Sequence, residues 1–153
     1  MKVMPVETVE QLRECLEVRT AVFVEEQKVP AEEEIDEFDD SPASCRHWLV
    51  RDGEEAVGTG RWRMYDEDTA KLQRIAVLDS RRGLGLGRLL IQAMEQDVRE
   101  AGVPAVILDG QVQAEAFYRK LGYTTISQEP FLDAGIWHVR MRKVLKEGIP
   151  AEQ

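Results

Sequence analysis

One segment constrains the fold more than any other. An apolar strand-like run, Leu72-Gln73-Arg74-Ile75-Ala76-Val77, leads into Arg81-Arg82-Gly83-Leu84-Gly85-Leu86-Gly87 and then into a helix-periodic stretch. A strand, a glycine-rich turn and a helix together aim several main-chain N–H groups and a helix N-terminus at one point, the geometry that holds an anion such as phosphate. After the turn, Leu86, Leu89, Leu90, Ala93, Val98 and Ala101 share one helical face, with Arg88, Gln92, Glu95, Arg99 and Glu100 on the other, and Gly102 ends the helix. A dinucleotide fingerprint begun at Gly83 needs glycine where Arg88 stands, one begun at Gly85 also fails, and the G-K-[ST] of a phosphate-loop NTPase is missing. A ligand-free turn is the competing reading. Arg81, Arg82 and Arg88, gathered beside the turn in an otherwise acidic chain, favour the anion.

With 153 residues, 43% of them hydrophobic, the chain is expected to form a single domain over 1–153. Its net charge of −9 disfavours nucleic acid and anionic membrane as partners. No apolar run approaches the roughly 20 residues of a membrane span, and Met1-Lys2-Val3-Met4-Pro5 lacks a signal-peptide core. Cys15 and Cys45 form no C-x-x-C pair, and Cys45-x-His47 lacks further ligands at metal spacing. The expectation is a cytoplasmic protein with reduced thiols and no metal. The charge is concentrated: Glu25 to Asp40 holds nine acids against Lys28, a local −8, and the remainder is almost neutral.

Elsewhere, Thr8-Val9-Glu10-Gln11 has capping-box spacing, and Val9, Leu12, Leu16 and Phe23 recur near helical period, so a first amphipathic helix starts there. The acidic stretch, punctuated by Pro30 and Pro42, reads as a loop with at most one short helix. His47–Arg51 and Ala56–Met64 read as strands across an Asp52-Gly53 hairpin turn. Val106-Ile107-Leu108 is a short buried strand, and Ala114, Phe117, Tyr118 and Leu121 mark a helix ended by Gly122. Two strands are expected to close the chain, the last alternating Trp137, Val139 and Met141 against His138 and Arg140. Trp48, Trp62 and Trp137 are expected to fill core.

Arg82-Gly83-Leu84-Gly85-Leu86-Gly87 matches every fixed position of [QR]-x-x-G-x-[GA]. Ala114-Glu115-Ala116-Phe117-Tyr118-Arg119-Lys120-Leu121-Gly122-Tyr123 matches A-x-x-F-Y-x-K-x-G-[FY]. With these two motifs in this order, residues 72 to 123 resemble the GNAT superfamily of acetyl-CoA-dependent N-acetyltransferases. Arg19 to Gln27 and the acids that follow further resemble its YjcF/ElaA-like branch.

The resemblance implies an α/β (α+β) fold: a mixed, mostly antiparallel, splayed sheet of about six to seven strands with helices on both faces. It implies acetyl-CoA as cosubstrate and a primary amine of a small molecule or peptide as acceptor. The coenzyme pyrophosphate would lie on Arg82, Gly83, Leu84, Gly85, Leu86, Gly87 and Arg88, with the pantetheine arm along Ile75, Ala76 and Val77. Gln111 stands where many relatives have asparagine and can still offer an amide to the coenzyme or simply end a loop. The backbone amide of Val77 would polarise the thioester, and Tyr118 would protonate the departing thiolate and contact the coenzyme. No residue stands out as the base that deprotonates the acceptor. Glu26 is the candidate base, with Glu25, Asp36 and His47 in the same region, and a water relay is equally open. The charge concentrated between Glu25 and Asp40 suggests a cationic acceptor, with solvated surface as the competing explanation. A non-catalytic acyl-CoA-binding or protein-interaction module on the same fold is the alternative function. A homodimer through strand edges or the first helix is left open.

Overall fold

The computed structural model describes residues 1–145. These group into two compact units, one of Met1–Trp62 and Arg74–Met94, the other of Arg63–Gln73 and the chain from Glu95 onward. The expected single domain covers both units, and its last residues, 146–153, lie outside the described residues.

In the first unit, β1 (Lys2–Pro5) precedes α1 (Val9–Arg19), which continues as a π-helix over Thr20–Glu26. The Thr8–Gln11 capping box forms as the spacing predicts. The acidic stretch carries α2 (Ala31–Glu34) and a 3₁₀ turn, Glu37–Asp39. Next come β2 (Arg46–Asp52), β3 (Glu55–Met64), β4 (Thr69–Val77) and α3 (Leu86–Glu100), the last three running from one unit into the other. β1 and β3 flank β2 in antiparallel register, with Gly53 at φ +64° in the hairpin turn. Ala76 of β4 packs with Val18 and Val22. Its neighbour Ile75 lies by Gly60, where an added Cβ would stand 2.8 Å from Met94 Cε of α3. Neighbouring strand residues point to opposite faces, so helices cover both faces of the sheet in this unit.

In the second unit, Thr69–Leu72 of β4 run parallel to Ala105–Leu108 of β5 (Ala105–Gln111). β5 pairs antiparallel with β8 (Ile136–Val144) from Ala105–Val144 to Gln111–His138. α4 (Glu115–Lys120), β6 (Thr124–Thr125) and β7 (Phe131–Asp133) complete it. The hydrogen-bonded order is β1-β2-β3-β4-β5-β8-β6, with β7 also on β8.

The sheet has eight strands, more than the six to seven expected. Three strands close the chain instead of two, because β6 and β7 are too short to display a period of two. Of the tryptophans, Trp62 is buried and Trp48 half-buried, but Trp137, near the start of β8, is 55% exposed and fills no core. On α3, Ile91 and Met94 are buried while Leu89 is exposed, so the buried face is rotated from the one the sequence suggested. Glu95, placed on the polar face, is buried, where it accepts from Tyr123 Oη at 2.7 Å and Lys143 Nζ at 3.0 Å.

Candidate active site

The glycine turn has the conformation that only glycine adopts freely. Gly83 and Gly85 lie at φ +82° and +80°, and a Cβ on either would meet no atom within 4 Å. Glycine is therefore needed here for backbone shape, since nothing in the chain crowds the site. The turn is exposed, and it delivers the chain into α3, whose first N–H groups have no intrahelical acceptor. Those free donors, with the amides of the turn, are the groups that the anion site expected from the sequence would use. Arg88 is exposed on the first turn of α3.

Arg82 is already engaged. Its Nη1 and Nη2 each donate to a Glu26 carboxylate oxygen at 2.7 Å, and its Nε donates to Val77 O at 3.1 Å. Glu26 ends the π-helix, so this bridge ties that helix to the turn and to the end of β4. The Arg82 hydrogen bonds hold the Glu26 carboxyl below the usual carboxylate range, which works against its use as a base near neutral pH. Arg81 is turned away from the glycines toward Glu55 at 2.6 Å and Asp52 at 3.4 Å.

The acidic stretch is not a uniform solvated face. Glu34 and Asp39 are buried and Asp36 is half-buried, and all three meet arginines from elsewhere in the unit. Arg19 donates to Glu34 Oε2 at 2.6 Å and to both Asp39 oxygens at 2.7 and 2.9 Å. Arg61 binds Asp36 with two bonds of 2.8 Å and Asp39 with one of 2.8 Å. Arg74 reaches Glu34 and Asp36, each at 3.4 Å. Arg19, Arg61 and Arg74, with Arg82 on Glu26, thus offset about half of the −8 counted along the sequence. His47 is buried beside this network with Nε2 2.9 Å from Phe38 O, so Nε2–H donates and Nδ1 has no partner among the described residues. Burial holds its pKa below the ordinary histidine value.

β4 carries a further irregularity that alternation of apolar residues did not reveal. Arg74 lies at φ +56°, in the left-handed region, within a strand. The turn of chain there precedes Ile75, Ala76 and Val77, the residues expected to meet the pantetheine arm.

In the second unit, the side of β5 paired with β4 is engaged only to Leu108, while the β8 side is paired through to Gln111. Gln111 ends the strand, and its Oε1 accepts from Gln113 Nε2 at 2.6 Å. Tyr118 of α4 is half-buried with its ring against the main chain of Gly110, where an added Cβ would come within 2.8 Å of the ring. Phe117 and Tyr123 pack on it edge-to-face at 5.2 and 6.0 Å. Burial pushes the Tyr118 hydroxyl up to about 12, so it keeps its proton at neutral pH. No hydrogen bond engages that hydroxyl among the described residues. Asp109, one residue before Gly110, is fixed by Arg140 at 2.8 and 3.0 Å and by Lys71 at 3.2 Å. Among the described residues, no group of three or more His, Cys, Asp or Glu could hold a metal ion, and no helix is long and apolar enough to cross a membrane.

Sequence reasoning missed the arginine network. One signal for it was present: Arg19 falls on the apolar stripe of α1, seven residues after Leu12, where an exposed arginine is out of place.

A mixed sheet with helices, a strand leading into an exposed glycine turn and a second, tyrosine-bearing motif fit an acyltransferase of the acetyltransferase type. Residues 8–145 match the acetyltransferase (GNAT) domain family, and the chain belongs to it. It is 47% identical over 143 residues to YjcF of Bacillus subtilis (strain 168), described as an uncharacterised N-acetyltransferase, covering 94% of this chain and 99% of that one. Among solved structures it resembles Escherichia coli ElaA, with TM-score 0.78 and 24% identity, covering 94% and 99% of the two chains. The PaiA N-acetyltransferase of Thermoplasma acidophilum, solved in complex with coenzyme A, shares the fold with TM-score 0.69 and 16% identity, covering 95% and 100%.

Proposed function

We propose that this acetyltransferase moves an acetyl group from acetyl-CoA to a primary amine of a small-molecule or peptide acceptor, by direct attack of the amine on the thioester. The observation that carries the reading is the turn at Gly83 and Gly85, whose positive φ values leave the main chain open to a phosphate ahead of α3. In this reading the amides of residues 82–87 bind the coenzyme pyrophosphate, aided by Arg88, and Ile75 to Val77 offer main-chain partners to the pantetheine arm. The Val77 N–H donates to the thioester oxygen as negative charge develops, a contribution of about 3 kcal/mol where comparable donors have been removed. Tyr118, protonated at neutral pH, gives its proton to the departing sulfur. Gln111 contributes its side-chain amide to the coenzyme.

Deprotonation of the acceptor ammonium falls to a water relay in preference to Glu26, whose carboxylate is held by Arg82. The protein works as one domain in the cytoplasm, a reading supported by two buried free cysteines, Cys15 and Cys45. Calorimetric titration with acetyl-CoA, followed by thiol release across a panel of amines, tests the proposal. Binding with amine-dependent thiol release supports it. Binding without release for any amine supports the non-catalytic alternative, and failure to bind overturns both.

A further inference from the structure

We infer that Arg74 is a positioning residue for acyl transfer: anchored by the acidic segment, it sets the course of the β4 main chain at Ile75, Ala76 and Val77. This rests on the role just proposed for those three residues. A non-glycine residue at φ +56° inside a strand sits where L-residues are disfavoured, and it persists only when its surroundings hold it there. The surroundings are identifiable. Arg74 Nε donates to Glu34 O at 3.2 Å and Nη2 to Glu33 O at 3.4 Å, while the Glu34 and Asp36 carboxylates lie 3.4 Å from the guanidinium. Those acceptors are themselves fixed. Glu34 is gripped by Arg19 through both its carboxylate and its main-chain oxygen, each at 2.6 Å, and Asp36 by Arg61 in a two-pronged bridge.

A rigid frame of three acids and two arginines therefore holds one side chain whose own backbone is turned. A lysine could supply the charge but not a planar fork that spans two carbonyls and two carboxylates. Past the turned residue, Val77 O accepts from Arg82 and Leu78 N–H donates to Val57 O at 2.9 Å, so the far end of the segment is pinned as well. Ile75 to Val77 are thus fixed from both ends, and Arg74 is the anchor on the N-terminal side. A main-chain donor aimed at a thioester requires such placement, because rate falls steeply when a reacting group shifts by about 1 Å.

The test uses the full chain with Arg74→Gly, which tolerates positive φ but removes the anchor, and Arg74→Lys, which keeps the charge. Three measurements are made: kcat for acetyl transfer, the dissociation constant of free coenzyme A, and amide hydrogen exchange at Ile75, Ala76 and Val77. The expected result for Arg74→Gly is kcat lowered at least about tenfold and exchange at the three amides accelerated at least about tenfold, with coenzyme A bound more weakly by a smaller factor, because the pantetheine partners loosen while the glycine turn is untouched. Arg74→Lys should recover part of kcat. Unchanged exchange, or faster exchange with kcat within twofold of the parent, overturns the inference. A loss of kcat that merely follows the unfolded fraction in a thermal melt overturns it too. Absence of acyl transfer by the parent overturns the function proposed above and with it this role, an outcome separable from the others because it appears before any substitution is made.

Discussion

The guanidinium of Arg82 holds the carboxylate of Glu26 in a two-pronged bridge, with Nη1 and Nη2 each 2.7 Å from one oxygen. The arginine of the glycine motif is thereby neutralised by the residue that sequence alone offered as a base. Both groups are partly exposed, so the bridge itself contributes little to stability. In the proposed function its consequence is for the ligand: a carboxylate at the edge of the proposed anion site would repel phosphate and occupy the arginine. Glu26→Gln is expected to tighten coenzyme A binding severalfold and to leave the pH profile of kcat unshifted. A kcat reduced about 10²-fold, with loss of an ionisation from the profile, would return Glu26 to the role of base.

Gly85 offers a test of the turn that separates strain from obstruction. Gly53 lies at φ +64° and Gly85 at φ +80°, and an added Cβ meets nothing within 4 Å at either. Alanine at each position should therefore cost a similar 1–2 kcal/mol or so, from backbone strain alone. Under the proposed function only Gly85→Ala should weaken coenzyme A, by about tenfold or more, because only there would main chain face the phosphate. Chemical denaturation and calorimetry on both variants decide it, and equal coenzyme affinity for the two would remove the phosphate from the turn.

Tyr118 and Gly110 form a pair that can be probed from either side. Tyr118→Phe keeps the ring packed between Phe117 and Tyr123, so stability should change little while kcat falls roughly 10²-fold if the hydroxyl donates the proton. Gly110→Ala places a methyl 2.8 Å from the ring and displaces it, and kcat should fall with the hydroxyl still present. An unchanged kcat for Tyr118→Phe on an amine that the parent acetylates removes Tyr118 from the chemistry.

The buried network makes the fold acid-sensitive in a calculable direction. Burial alone would raise the carboxyls of Asp36 and Asp39, but hydrogen bonds from Arg61 and Arg19 outweigh it and hold both below the usual range. Their folded pKa values lie under the unfolded ones, so their stabilisation is complete above about 3.9 and is lost as pH falls below it. His47, also depressed and facing Arg19 and Arg61 as well as Asp39, adds a shallower loss that begins below about 6.5. Glu34 has the opposite sign. Burial raises its pKa despite Arg19, so protonation favours the folded state and blunts part of the decline. Thermal midpoints should be level above neutrality, fall gently from about pH 6.5 and steeply below about pH 4. His47→Asn should flatten the gentle part. Asp39→Asn, which leaves the buried Arg19 and Arg61 short of a partner, should cost about 3–5 kcal/mol at pH 7.

Periodicity and caps were legible because their causes are local. The Thr8–Gln11 box, the Gly53 turn and the glycines after Val77 each depend on residues a few positions apart, and each formed as read. The Glu34–Arg19 and Asp36–Arg61 bridges were not legible, because they join residues 15 and 25 positions apart and a window of like charges gives no hint of arginines folded onto it. The π-helix was hidden for a related reason. Val18 and Val22 are both buried, a spacing that fits an ordinary helix, and the widened turn shows in bonds such as that from the Gln27 N–H to Val22 O. Arg74 escaped notice since a turned residue within a strand leaves no mark in an apolar run.

The same network changes what the acidic stretch can be expected to do for an acceptor. Glu34, Asp36 and Asp39 are bound to arginines, Glu26 is bound to Arg82, and Glu32 and Glu33 remain exposed on α2. An exposed pair of carboxylates is screened within roughly 8 Å at physiological salt, a weak source of attraction for a cationic amine. Glu32→Gln with Glu33→Gln should therefore leave both stability and kcat/KM close to the parent values, for cationic and neutral amines alike. Glu34→Ala should act in a different way, lowering the thermal midpoint because Arg19 loses a buried acceptor 2.6 Å away and a cavity is left. The decisive measurement is kcat/KM of the double variant against salt concentration. A fall confined to the cationic amine and largest at low salt would show that the two exposed acids do steer the acceptor, and that the arginines neutralise only the inner half of the stretch.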